Sequence, residues 1–434
     1  MKRYIQCSLL SVFVCVNVVL SQKISGRLST SAYSWERYDT VGQSNVITRV
    51  FQTVQLDGEY KDLSLHTSIN GAIGSAGKFT NDGQIRIYNL YLDWKNIANL
   101  FDVRIGRIPI FAGVGNGIID GAKLRTNLME NKITITGFGG MNVPSDLRGR
   151  SLSDLDKNIF FGGQLIGNFL DDGRISLSYM NRQRSLDGYT AKRPDADFNP
   201  ILMQIQPGIR KEQIIGGDIS YIFIKKYTTY GRLDYDLNSK DVLRGELDGH
   251  FDIFNNFALT GTYIYRKPRI PYNSFFSIFK VEAVSEYEAG VEYSLSQNVK
   301  TFGRFAFVQY DNDNSKRYTV GINTKYGSCS YSGSDGYAGE LNSFTIEGEY
   351  PLFNKQLIPT ISASVANYRL DKTSSKENTY SGSVGAVVRL IKSFSFDAQV
   401  QWLKNRIVEN DVRVFGRINY WFSHNFSSEK GTGE

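Results

Sequence analysis

Period-two alternation, repeated along nearly the whole of a 434-residue chain, is what most limits how this sequence can fold. In an extended strand, successive side chains point to opposite faces. Over 242–252 one face reads Leu243, Gly245, Leu247, Gly249 and Phe251, and the other Arg244, Glu246, Asp248, His250 and Asp252. Over 286–295 Tyr287, Ala289, Val291, Tyr293 and Leu295 oppose Glu286, Glu288, Glu292 and Ser294. The stretches 317–326, 343–350 and 394–402 repeat the pattern, the last with Phe394, Phe396, Ala398, Val400 and Trp402 opposite Ser395, Asp397, Gln399 and Gln401.

A soluble sandwich also alternates, so further features decide. The strands run near the 9–11 residues that a tilted membrane strand needs. Their polar faces carry full charges in mid-strand, which suits a wet lumen. Aromatic residues gather toward strand ends, as at Trp35, Trp94, Trp402, Tyr420, Trp421 and Phe422, the pattern of girdles at bilayer interfaces. In lipid every backbone N–H and C=O must be paired, so such strands close into a barrel. Helical spans are excluded, because outside residues 1–21 no apolar run approaches the roughly 20 residues they need. Disorder is excluded by 26 Tyr and 27 Phe.

Residues 1–21 read as a secretory signal, with Lys2 and Arg3 before a short apolar run from Leu9 to Leu20 and cleavage after Ser21. Cys7 and Cys15 leave with it, so the lone Cys329 has no intramolecular partner. The 50 basic residues, less Lys2 and Arg3, leave 48 against 43 acids, or +5. Basic and acidic residues are interleaved, with no basic run, so nucleic acid is not an expected partner.

Tight turns are expected at Asp171-Asp172-Gly173, Lys225-Lys226, Asn255-Asn256, Ser296-Gln297-Asn298 and Asn354-Lys355, and longer polar loops at 73–83, 111–118, 141–157, 184–212, 267–282 and 371–378. Twenty-one segments read as strands. Bacterial single-chain barrels have even counts. The gap lies at 328–341, where a Ser/Gly-rich strand would make 22, while merging the weakest segments would make 18 or 20. The expectation is an all-β, transmembrane, antiparallel up-and-down β-barrel with an even number of about 18–22 strands and no plug domain. It would occupy 22–422 as one domain, followed by a polar tail over 423–434.

The last strand, Val412 to Phe422, ends on an aromatic and resembles the assembly signal of outer-membrane proteins. The stretch 84–128 holds Leu92-Asp93-Trp94, then Phe101-Asp102-Val103-Arg104-Ile105-Gly106-Arg107, a glycine-rich loop, and Ile119-Asp120-Gly121-Ala122. It resembles the strand–loop–strand of phosphate-selective-type and related porins, over about 45 of the 434 residues. The resemblance implies a porin-like barrel in the outer membrane of a Gram-negative-type bacterium, reached by secretion through the inner membrane. Outer-membrane lipid and the outer-membrane assembly machinery are the implied partners. A phosphate preference is not carried over, because no lysine-rich constriction loop matches.

The wall charges are the candidate site. Inward positions are expected for Arg104, Lys123, Arg125, Arg232, Arg244, Arg304, Lys325, Arg389, Arg413 and Arg417, and for Asp102, Asp218, Asp234, Asp236, Glu246, Asp248, Glu286, Glu288, Glu292, Glu347, Glu349 and Asp397. Closure would bring Arg413 and Arg417 near Arg27 as a basic arc, with the acids at 286–292 and 347–349 on another. Opposed arcs would orient polar solutes and set ion selectivity. The rival reading is that these charges pair across strands and solvate the wall. Loop 184–212, with Arg184, Lys192, Arg193, Arg210 and Lys211 around Ile201-Leu202-Met203, either tucks inward to narrow the pore or is a plain outer loop.

Catalysis has thin support. His66 and His250 occupy inward positions, but no serine stands out as a nucleophile, and Tyr331 to Gly336 is not a G-x-S-x-G elbow. Gly113 to Gly117 lacks a dinucleotide fingerprint, and Asp311 to Lys316 lacks the glycine of a calcium loop. No cofactor, metal centre or catalytic residue is assigned. The functional expectation is a porin for passive diffusion of small polar solutes or ions. A barrel scaffold or sheath for a secretion, adhesion or electron-transfer assembly is the alternative, and an outer-membrane hydrolase using His66 or His250 ranks third. Oligomeric state stays open, a homotrimer included.

Overall fold

The computed structural model describes residues 22–39, 46–74, 85–147, 152–170, 172–186, 188–194, 198–206, 208–269, 282–310, 313–336, 339–371 and 373–426. The expected signal over 1–21, and residues 427–434 of the expected tail, lie outside the described residues.

The chain is built of strands. β1 (Lys23–Asp39), β2 (Val46–Tyr60), β3 (Leu63–Gly74) and β4 (Ile85–Ile97) lead to β5 (Phe101–Ala112), β6 (Gly115–Leu128), β7 (Ile133–Asn142), β8 (Ile159–Phe169) and β9 (Gly173–Arg184). β10 (Tyr189–Pro194) and β11 (Pro200–Ile205) come next, followed by β12 (Arg210–Phe223), β13 (Tyr227–Asp236), β14 (Asp241–Phe254), β15 (Phe257–Arg266) and β16 (Val284–Ser296). The remainder are β17 (Val299–Gln309), β18 (Asn314–Thr324), β19 (Gly327–Gly336), β20 (Gly339–Glu349), β21 (Leu357–Arg369), β22 (Glu377–Ile391), β23 (Phe394–Lys404) and β24 (Val408–Asn425). Among the described residues no helix is long and apolar enough to cross a membrane.

All strands but β10 and β11 belong to one 22-stranded sheet. β24 runs antiparallel beside β1 from Lys23↔Asn425 to Asp39↔Val408. The first and last strands thus satisfy each other's backbone groups, and the result is a closed antiparallel barrel without a free edge there. The even count comes from the Ser/Gly-rich stretch: Gly327–Gly336 is β19, paired with both β18 and β20. Two expected loops are corrected. Residues 111–118 are the ends of β5 and β6 around a short turn, and 184–212 contains the separate β10–β11 hairpin. At the expected Lys225-Lys226 turn, a three-residue loop joins the paired Phe223 and Tyr227, and Ile224 and Lys225 in it both have positive φ, 52° and 56°.

Contacts divide the chain into two compact units, Met1–Lys95 with Gly249–Thr262 and Glu286–Glu434, and Asn96–Asp248 with Tyr263–Ser285. In the first unit, residues opposite one another in the ladder share a face, so Asp397 with Arg417 and Ser29 with Asn419 mark a polar face. Val412, Val414, Ile418 and Tyr420 lie exposed on the other. In the second unit, Ser176 with Asp218 and Asp218 with Arg232 mark the polar face. There Ile175, Leu177, Ile219 and Leu233 are exposed on the other side. Exposed branched apolar side chains in alternation with charged ones are what a lipid-facing wall requires.

Candidate functional site

The second unit departs from a plain wall at one hairpin. β5 and β6 are paired from Phe101↔Thr126 to Ala112↔Gly115 around Gly113-Val114. β7 accompanies β6 only as far as Ile119↔Asn142, with one further bond from Val143 N–H to the Ile118 carbonyl at 3.0 Å. Beyond that level β6 parts from β7.

Its tip is fixed at a distance. The Val114 N–H donates to Ser178 Oγ at 3.0 Å, and that hydroxyl donates to the Gly216 carbonyl at 3.2 Å. Arg182 Nη1 donates to the Asn116 carbonyl at 3.2 Å. Ser178 and Arg182 are on β9 and Gly216 is on β12, while β7 and β8 stand between β6 and β9. At about 4.8 Å per strand, the tip reaches across about 14 Å of sheet. It therefore lies over the polar face of β7, β8 and β9.

The side chains explain why. Ile108, Ile110 and Ala112 alternate on the same face as Asp102 and Arg104 lower in β5. Together with Val114 and Ile119 they are no more than 3% exposed. Opposing them are Phe138, Phe160, Met180 and Ile214, also buried, on polar-face positions of β7, β8, β9 and β12. Phe138 and Phe160 meet edge to face at 5.1 Å. Each large side chain so buried contributes about 1.5–3 kcal/mol relative to exposure, and the hairpin and wall can hide these residues only against each other.

A row of glycines lets the hairpin turn off the wall. Gly106 pairs with Gly121, and Gly121 with Gly140. Gly106 has φ +130°, a conformation that L side chains rarely adopt. A Cβ on Gly121 would run into the backbone of Gly139 and Gly140, and one on Gly140 would stand 2.6 Å from the Asp120 carbonyl. On the hairpin's opposite face Arg107 grips Asp120 with two bonds of 2.7 Å and donates to the Leu147 carbonyl at 2.7 Å. Phe111, at 74% exposure, stands free near the tip.

Many of the wall charges are paired rather than segregated. In the second unit, Asp218 accepts from the Ser176 hydroxyl and faces Arg174 at 3.8 Å. Arg232 grips the buried Asp234 at 3.0 Å, and Arg269 approaches the same carboxylate at 3.7 Å. Arg244 pairs with Glu246. Asp236 is taken up by its own turn, accepting the Asn238 N–H at 2.8 Å. Asp102 accepts the Asn96 N–H at 3.1 Å and stands opposite Arg125, and Arg104 stands opposite Lys123. Asp248 is half-buried on the polar face of β14.

In the first unit, Arg317 holds Glu286 and, at 3.0 Å, Glu288. Lys300 and Arg304 share Glu292, the latter at 3.5 Å. Arg417 pairs with Asp397 at 2.6 Å, and Arg413 binds the buried Asp411 through Nε at 3.0 Å. Arg27 donates to Asn419 at 2.6 Å and sits over the Trp421 ring. Arcs of bare like charge are therefore not what Arg27, Arg413 and Arg417, or Glu286, Glu288 and Glu292, present. Glu347 accepts from Ser328 at 2.8 Å, Glu349 and Lys325 line one shallow polar depression with Ser328, and Lys325 lies over Tyr326. Arg389 is exposed beside a register shift at the β22–β23 turn.

Of the expected constricting loop, Arg184 and Arg210 are cross-strand partners on β9 and β12, and Lys211 is exposed. Lys192 and Arg193 lie exposed on β10, and Ile201, Leu202 and Met203 are exposed on β11, not tucked against the wall. Residues 187, 195–197 and 207 of that loop lie outside the described residues. Arg174, Arg182, Lys300 and Arg317 are not among the expected wall charges, and Arg107 enters only through the resemblance. Sequence reasoning also passed over the one available signal for the hairpin, the apolar run Ile108, Ile110, Ala112 on a strand face that begins with Asp102 and Arg104.

No protein-family model matches the chain, and no curated protein does. Among solved structures, the FrpB iron transporter from Neisseria meningitidis superposes with a TM-score of 0.53 at 10% identity, covering 91% of this chain and 81% of that one. The copper transporter OprC gives a TM-score of 0.52 at 11% identity, covering 92% and 81%. At such identities the likeness is one of fold, and the fold is that of outer-membrane barrels.

Proposed function

We propose that this protein is an outer-membrane channel through which small hydrophilic solutes or ions diffuse passively, and that the β5–β6 hairpin narrows the path. The observation that supports it best is the seat of Val114 on Ser178, which lays a strand pair across the polar face of the wall. A 22-stranded barrel is too wide to be filled by its own wall side chains, so the lumen holds water except where the hairpin intrudes. Because many acids and bases are paired along or across strands, selectivity arises from the local rim near Phe111 and Asn116 and from individual pairs. The barrel resides in the outer membrane of a Gram-negative-type bacterium, its exposed Leu, Ile and Val against lipid, placed there by the assembly machinery. A homotrimer and a monomer both fit this reading.

The test is single-channel conductance of the refolded chain in a planar bilayer under a salt gradient. Steady open steps support the reading. A correctly folded barrel that passes no current overturns it and favours a scaffold or sheath for partner proteins.

A further inference from the structure

On the polar face of the first unit, three side chains of β2 and β3 form a hydrogen-bonded chain that the channel reading does not use. His66 and Asp57 are direct cross-strand partners, and Ser64 lies two residues before His66 on the same face. His66 Nδ1 is 2.6 Å from Asp57 Oδ1, and His66 Nε2 is 3.0 Å from Ser64 Oγ. A carboxylate can only accept, so Nδ1 carries the proton of the neutral ring, Nε2 accepts, and the Ser64 hydroxyl donates. The ring is held flat against Tyr91, with centroids 4.9 Å apart and planes at 29°. His66 is 28% and Asp57 46% exposed, so the group is open to solutes.

We propose that Ser64 is a nucleophile, His66 its general base and Asp57 the group that orients the imidazole, and that they hydrolyse small carboxylic esters. The order of atoms is that of an activated serine: nucleophile on one ring nitrogen, carboxylate on the other. Ser64 Oγ bonds to the ester carbonyl carbon while its proton passes to His66 Nε2. The adduct collapses, the ester C–O bond breaks, and the leaving alkoxide takes that proton and departs as an alcohol. Water then adds to the acyl group, its proton passing through His66 to Ser64 Oγ as the carboxylic acid leaves.

The activity needs no ion flow, so it is scored on the full barrel in detergent whether or not that barrel conducts. Folding of each variant is checked by heat-modifiable gel mobility. The probes are a fluorophosphonate, with the adduct located by peptide mapping, and p-nitrophenyl acetate. The expected result is an adduct at Ser64 in the native chain and in His250→Ala, none in Ser64→Ala, and labelling slowed about 100-fold or more in His66→Gln. Asp57→Asn, which keeps the shape but loses the charge, is expected to slow it as well, and serves alone if His66→Gln does not fold. Ester turnover should fall with labelling in the same variants. No adduct at Ser64 in the folded native chain, or labelling indifferent to both His66→Gln and Asp57→Asn, overturns the proposal.

Discussion

The Val114 N–H and the Ser178 hydroxyl are hydrogen-bonded at 3.0 Å although β7 and β8 lie between the strands that carry them. A bond of that reach forces the tip of β5–β6 to lie on the polar face of the wall. The apolar residues beneath it supply the free energy, and the glycine row supplies the room.

Unseating the tip should widen the channel without unfolding the barrel. Ile110 is fully buried between hairpin and wall, and Ile110→Ala should weaken that seat by about 2–5 kcal/mol. Gly113→Val acts on the turn itself, since Gly113 has φ +61° and a Cβ there would run into Ser178. Both variants should show larger or flickering single-channel steps with native heat-modifiable mobility. Loss of mobility at unchanged step size would argue that these residues hold up the wall instead.

The bend should be intolerant of a side chain at Gly121 and tolerant at Gly137 one strand away. Gly121→Ala forces the β6–β7 backbones apart and should cost about 1–3 kcal/mol. Gly137 has nothing within 4 Å of its Cβ position, so Gly137→Ala should be near neutral. Urea unfolding in lipid vesicles reads the difference, and equal effects would remove the glycine row from the account.

The pairing of wall charges predicts a compensating cycle. Arg417→Gln leaves Asp397 without its 2.6 Å partner and should move the reversal potential toward cation preference. Asp397→Asn should move it toward anions. The double variant should return close to the native value, because the pair contributes little net field. Additive shifts in the double variant would instead favour independent charges acting on the permeant ion.

The assignment of faces is open to the same kind of check. Ile418 is 44% exposed on the apolar face of β24, while its neighbour Arg417 lies on the other. Ile418→Arg should destabilise the barrel in lipid by about 2–4 kcal/mol if it sits near the bilayer midplane. Ser31→Arg, on the polar-face position opposite Arg417, should cost far less. A reversed ranking would mean that the lipid face has been misassigned.

Much of the fold is legible in sequence because the side-chain period of a strand is short and local. Tyr287, Val291 and Tyr293 against Glu286, Glu288 and Glu292 need no partner to be read. Even β19, whose polar face is Ser328, Ser330, Ser332 and Ser334, can be inferred from the need for an even count. The site is harder because it depends on register. Arg317 meets Glu286 and Glu288 only once β16, β17 and β18 are aligned, and Ser64 is singled out among many serines only by its distance to His66. The hairpin was within reach. Ile108 and Ile110 continue the polar face of β5, and a barrel strand that turns apolar on its inner side must be covered by something.

The most direct test of the central claim compares the native barrel with one whose hairpin is shortened. Residues 109–118 are replaced by Asn-Gly, joining the cross-strand partners Ile108 and Ile119 through a turn that favours tight hairpins. Single-channel conductance of the two folded proteins is then measured in the same salt. The account predicts a clearly larger conductance for the shortened chain. Equal conductance would contradict the placement of the constriction at β5–β6.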